Sequence, residues 1–152
     1  MGTGHKGSIM RIAKEFTWEM GHRLPFHAGK CKNLHGHSYK CVIELDGDPD
    51  KNGIVLDYYD LKKIVDPIID EFDHSFMVCD SDTELIDALT RLGSRHLIVD
   101  FESTAENICI YILRKIKSCR LPANIHALKV RVLETENSYA ETEWEYKRPN
   151  NT

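Results

Sequence analysis

Residues 35–46 read HGHSYKCVIELD, and their alternation decides the fold. The odd positions are His35, His37, Tyr39, Cys41, Ile43 and Leu45; the even positions include Ser38, Lys40, Glu44 and Asp46. Successive strand side chains point to opposite faces, so this is a half-buried strand, and both histidines continue its apolar face. Upstream, from Met10, the residues Ile12, Phe16, Trp18 and Met20 share one parity that Lys14 interrupts. Ala13, Glu15, Thr17 and Glu19 take the other, which makes a second half-buried strand ending near Gly21 and His22. Downstream, GDPDKNG at 47–53 is a turn by its Gly, Pro and Asn-Gly content.

Further out the period changes. Leu61, Ile64, Val65, Ile68 and Phe72 mark one helical face within 57–72, and Pro67 inside it is expected to kink or split the helix. Residues 81–100 carry weaker patterning: a short helix around Thr83–Leu92, Gly93, and room for a short strand over His96–Phe101. A stronger helix starts at Ser103, where Ser103 and Glu106 have capping-box spacing. Ala105, Ile108, Cys109, Ile112, Leu113 and Ile116 form its buried stripe. Leu128, Val130, Val132 and Glu134, then Ala140, Thr142, Trp144 and Tyr146, mark two closing strands. The order ββ-α-α-ββ predicts an α+β domain: a four-stranded antiparallel sheet with two main helices on one face.

The chain has 152 residues, the size of one domain, which we place at 10–147. Residues 1–9 read as a flexible arm or expression remnant, so His5 is set aside, and 148–152 as a disordered tail. With 20 Lys+Arg against 24 Asp+Glu the net charge is −4, which offers no global basic field to nucleic acid or an anionic membrane. No apolar run approaches the ~20 residues of a membrane span, and no signal peptide opens the chain. The five cysteines form no CxxC pair, which suits a reducing, cytoplasmic setting without a disulfide framework.

Eight histidines stand out. His35 and His37, at i and i+2 on a strand, project to one side. His22 closes the preceding strand, so pairing of the two strands would bring all three together. Three neutral imidazoles fit Zn²⁺ and leave a fourth position open, as in catalytic sites. The same HGH also fits a turn with two solvated histidines; the third histidine at a strand end is what favours the metal. Cys31 lies four residues before His35 in a polar loop, between Lys30 and Lys32, where positive charge raises the thiolate fraction. Cys41, Cys79, Cys109 and Cys119 read as structural. Asp73-His74 is either a helix-end pair or an acid-tuned proton carrier. Glu134, the polar last member of an apolar strand face, either meets solvent or accepts two hydrogen bonds from a heterocycle.

Taken in order, FTWEMGHRLP (16–25), CKNLHGHSY (31–39), GIVLDYYDLK (53–62), FDHSF (72–76), STAEN (103–107) and VLETENSYAE (132–141) resemble the 6-pyruvoyltetrahydropterin synthase family. The spacing C-x-x-x-H-G-H is similar to the branch of the queuosine pathway, the 6-carboxytetrahydropterin synthases. The resemblance implies the tunnelling fold, in which sheets of several subunits join into a β-barrel with active sites between subunits, here in a hexamer or tetramer. It implies that His22, His35 and His37 hold zinc, Cys31 is the catalytic base, Asp73 and His74 relay protons, and Glu134 anchors a pterin ring. The implied substrate is 7,8-dihydroneopterin triphosphate, and Arg23, Lys30 and Lys32 are near in sequence to hold its phosphates. ESTAEN at 102–107 departs from the more usual NPTAEN, and the stretch Val78–Glu102 is longer than in the shortest members.

The implied reaction releases triphosphate and acetaldehyde and leaves 6-carboxy-5,6,7,8-tetrahydropterin. A pyruvoyl product on the same scaffold is the alternative. A zinc-binding protein without turnover is a third reading, and it leaves Cys31 and Asp73-His74 without a task.

Overall fold

The computed structural model describes residues 9–147, so the expected tail at 148–152 and all but Ile9 of the expected arm lie outside the described residues. The elements run β1 (Met10–His22), β2 (His35–Gly47), α1 (Tyr58–Asp70), β3 (Ser75–Cys79), α2 (Thr83–Leu92), β4 (His96–Val99), α3 (Ala105–Ser118), β5 (Ile125–Thr135) and β6 (Ser138–Glu145). They form one six-stranded sheet in the order β4-β3-β1-β2-β5-β6.

The alternation read in the sequence is the alternation observed. β1 and β2 pair antiparallel, with Phe16 opposite Cys41, Trp18 opposite Tyr39 and His22 opposite His35. Tyr39, Cys41, Ile43 and Leu45 are essentially inaccessible, as are Leu128, Val130 and Val132 on β5. These residues form one core with Leu61 and Val65 of α1 and Ile108, Ile112 and Ile116 of α3.

Two expectations about the sheet are corrected. The sheet has six strands rather than four and is mixed rather than antiparallel, because β3 pairs parallel to both β1 and β4. The two main helices, α1 and α3, share one core as expected, and the short helix expected around Thr83–Leu92 forms as α2 with those bounds. On β3, Met77 joins the main core, whereas Val78 and Phe76 pack with Leu85 and Leu89 of α2. Neighbouring strand residues face opposite ways, so α2 covers the sheet on the side away from α1 and α3. The long stretch Val78–Glu102 is therefore α2 and β4, an extension of the sheet beyond β3.

Two local expectations also change. α1 runs unbroken through Pro67. Pro67 and Lys63, whose carbonyl it leaves without a partner, both lie on the exposed side, where water can satisfy that carbonyl. The N-cap of α3 is Thr104, whose hydroxyl accepts from the Asn107 N–H at 3.2 Å, and not Ser103. Ser103 is buried and has another partner.

Candidate functional site

The β1–β2 ladder builds the site. His22 lies opposite His35 in the register, and His37 follows two residues on, so three imidazoles leave one face at the end of the hairpin. Between them the rung Gly21–Gly36 faces the other way. There the Phe76 ring lies so close that a Cβ on Gly21 would sit 2.6 Å from it. Glycine at 21 is what lets β3 reach β1 at this point. His22 is buried; His35 and His37 are half-buried.

Hydrogen bonding fixes the tautomers. His22 Nδ1 is 2.8 Å from the Ser103 carbonyl oxygen, and His35 Nδ1 is 2.7 Å from the Asn33 carbonyl oxygen. A carbonyl only accepts, so each Nδ1 carries the proton and, in a neutral ring, each Nε2 is bare. The two Nε2 atoms nevertheless stand 3.1 Å apart. His37 Nε2 is buried and has no hydrogen-bond partner. The ligand atoms of the three rings lie within 4.8 Å of one another, the sole such group of metal-binding side chains among the described residues. Lone pairs pointed at each other repel unless a cation lies between them. Nitrogens around a tetrahedral ion at about 2.0–2.1 Å stand about 3.3 Å apart. The donor set thus fits a metal ion.

The protonation states agree. Burial pushes the His22 pKa down to about 4, and the neighbouring His35 and His37 add to the effect. Burial and His35 also lower that of His37. His22 is therefore neutral at physiological pH and needs no proton removed before it binds a metal. Beneath the trio, Tyr39 stacks on Trp18 with ring centres 5.1 Å apart, its hydroxyl 3.4 Å from His22 Nε2.

Glu134 reaches the same place from β5. Its Oε2 lies 4.0 Å from His37 Nε2. Burial raises its pKa, as does Glu106 of α3, while His35 pulls the other way. Such a carboxylate gains from a partner that donates N–H groups.

Asp73 and His74 form a pair of their own in the turn between α1 and β3. Asp73 Oδ1 accepts from His74 Nδ1 at 2.8 Å and from the Glu19 backbone N–H at 2.9 Å. Partial burial works against the Asp73 charge, but the Glu19 N–H and His74 outweigh it and hold the pKa below the usual carboxylate value. His74 has φ of 56°, the one non-glycine residue with positive φ among the described residues. A cavity of about 440 Å³ is lined by His35 and His37 together with His74.

Cys31 sits half-buried in a 3-10 turn, Lys30–Lys32, within the loop that joins the β1 and β2 histidines. Its carbonyl accepts from the Leu24 N–H at 2.8 Å, which closes the loop on itself. The structure corrects the part suggested for Arg23. Its guanidinium makes a two-pronged bond to Asp82, the N-cap of α2, at 2.7 and 2.6 Å, so its charge is already matched. Lys30 and Lys32 are exposed. Sequence reasoning missed Ser103, which orients His22 from the turn before α3. Its motif suggested only a helix cap.

A family model, 6-pyruvoyl tetrahydropterin synthase, matches residues 11–145. The chain belongs to this family. It is an enzyme of the lyase class and a pterin synthase. A 6-carboxy-5,6,7,8-tetrahydropterin synthase of Haemophilus influenzae is 36% identical over 141 residues, covering 88% of this chain and 98% of that one. The enzyme of that name from Aquifex aeolicus is 30% identical, with coverage of 86% and 95%. Among solved structures, the 6-pyruvoyl tetrahydropterin synthase of Plasmodium vivax superposes with a TM-score of 0.72 at 19% identity, covering 91% and 99% of the two chains. That of Caenorhabditis elegans gives 0.65 at 25% identity, covering 92% and 97%. The expected tunnelling fold is thus the fold of this pterin synthase, here with six strands and three helices.

Proposed function

We propose that this pterin synthase converts 7,8-dihydroneopterin triphosphate to 6-carboxy-5,6,7,8-tetrahydropterin, with release of acetaldehyde and triphosphate. We place the reaction in queuosine and 7-deazapurine synthesis in the cytoplasm. The five cysteines all stand as free thiols, which suits that compartment. The observation that carries the reading is the convergence of three imidazoles beside Glu134, two with a bare Nε2 and the third with a buried Nε2 that has no partner. Relatives at 30–36% identity that bear the 6-carboxy name support the choice of product.

Each residue then has a task. His22, His35 and His37 would hold zinc, which supplies Lewis-acid stabilisation of negative charge on the substrate side chain. Glu134 accepts the N–H and NH₂ of the pterin edge and so sets where that side chain falls. The Cys31 thiolate removes a carbon-bound proton. Asp73 orients the His74 imidazole through Nδ1 and leaves Nε2 to pass a proton. Lys30 and Lys32 meet the triphosphate.

Mass spectrometry of the product tests the reading. Acetaldehyde and the 6-carboxy product are expected; a dominant pyruvoyl product without acetaldehyde would move the chain to the other branch. Cys31 is four residues from His35, so its loop is short and its reach fixed, and a shift of about 1 Å in a reacting group can cost around a hundredfold. Glu134→Gln is expected to lower kcat/KM about 10–100-fold, because an amide cannot accept both bonds and a hydrogen bond to a charged group contributes about 1.5–3 kcal/mol. An unchanged kcat/KM in Glu134→Gln would remove Glu134 from the pterin site.

We further propose that the chain works as a homo-oligomer, a hexamer or tetramer with sheets joined into a barrel and sites completed between subunits. β1 pairs with β3 only at Met20 and Gly21, which leaves its edge from Met10 to Trp18 without a partner strand among the described residues, and β6 is an outer strand of the sheet. Open edges are pairing templates. Light scattering should give a stable multiple of the chain mass. A single-chain mass at micromolar concentration would overturn the barrel.

A further inference from the structure

We infer that Arg95 is a positioning residue for Asp73 and His74, a role that rests on the reading of that pair as the proton relay. Arg95 precedes β4, in the stretch that extends the sheet beyond β3. Its guanidinium spreads two donors over the turn that carries the pair. Nη1 donates to the Asp73 carbonyl at 2.5 Å, and Nη2 donates to the carbonyl of Asp70, the last residue of α1. Its own backbone is fixed as well, since the Arg95 carbonyl accepts from the Phe76 N–H at 3.1 Å.

The Asp73 carbonyl belongs to the peptide unit that joins Asp73 to His74. The N–H of that same unit donates to the Glu19 carbonyl at 2.7 Å. Both ends of one peptide plane are therefore held, the oxygen by Arg95 and the N–H by β1. The orientation of this plane decides the φ of His74, which is the left-handed 56°. A residue with a Cβ leaves that conformation for the right-handed or extended regions when nothing holds it. Such a rotation would carry the imidazole away from Asp73 Oδ1 and from the cavity it lines with His35 and His37. Arg95 holds it there.

Arginine suits the task because its planar fork reaches two carbonyls at once, at a helix C-terminus that favours positive charge. A lysine ammonium is a single point donor without that planar fork and would hold the two carbonyls less firmly. If the role were only to cap α1, loss of Arg95 would cost stability and leave the relay unaltered.

The experiment compares the parent with Arg95→Ala and Arg95→Lys, each loaded with zinc. It reads kcat and KM on dihydroneopterin triphosphate and, separately, the His74 ring resonances by NMR at fixed pH without substrate. Expected for Arg95→Ala are a fall in kcat of about 10–100-fold with KM within about twofold, and displaced or broadened His74 signals. Metal content should match the parent, and Arg95→Lys should recover part of both readouts. A kcat within about twofold of the parent together with unchanged His74 signals would overturn the proposal, even if the melting temperature fell. Should the parent itself fail to turn over this substrate, the reaction assignment fails, while the NMR comparison still decides whether Arg95 holds His74.

Discussion

Cys31→Ala is expected to keep its metal and its fold while turnover falls by about 10²–10⁴-fold, the usual range for removing a positioned acid or base. The five thiols of the chain are sharply different in kind. Cys41 is fully buried, and burial, with Cys109 beside it, pushes its pKa up to about 12. Burial likewise raises Cys109 to about 11, and its thiol is spent on the Val130 carbonyl at 3.0 Å. Neither can be a thiolate near neutral pH. Cys31 stands in a polar turn between two lysines, on the loop whose ends carry His22 and His35. Cys41→Ala should cost stability and leave the rate per folded molecule near that of the parent. The reverse pattern, an inert Cys41→Ala and a healthy Cys31→Ala, would show that the wrong cysteine had been assigned.

Removal of any one of the three histidines should empty the metal site. About one zinc per chain is expected in the parent, and His22→Ala, His35→Ala and His37→Ala should each retain almost none after dialysis, as two imidazoles do not hold an ion that normally takes at least three protein ligands. Turnover should disappear with the metal. Circular dichroism should stay that of the parent for His35→Ala and His37→Ala, because both rings are only half-buried. His22→Ala also leaves the buried Ser103 carbonyl without its donor, so a lower melting temperature is expected there. Full zinc retention in all three variants would place the metal elsewhere.

The sequence shows most clearly what obeys a simple period. β1 and β2 are long, antiparallel and buried on one face, so their alternation survives in the sequence and even sets His22, His35 and His37 on one side. β3 is five residues long and packs on both faces, Met77 into one core and Val78 into another, so SFMVC offers no alternation to read. The contacts that orient the site are harder still. Ser103 meets His22 from 81 residues away, and Arg95 meets Asp73 from 22, each through a backbone carbonyl. A carbonyl has no letter in the sequence. Arg23 illustrates the converse: its neighbourhood suggested a phosphate ligand, but only the fold brings Asp82 against it. Adjacent partners such as Asp73 and His74 stay visible, since nothing but their side chains is needed to make the pair.

The ladder register that sets His22 against His35 acts before any ion arrives. A ligand cage shaped by backbone pairing cannot resize itself to favour one guest, and imidazole is an equally good donor to several first-row cations. Along the Irving–Williams series copper and nickel compete well for such nitrogens. Selection would then fall to supply: any ion recovered with the protein would report the growth medium or the affinity resin as much as the biology. Preparations stripped and refilled with one defined cation are the ones whose rates can be compared.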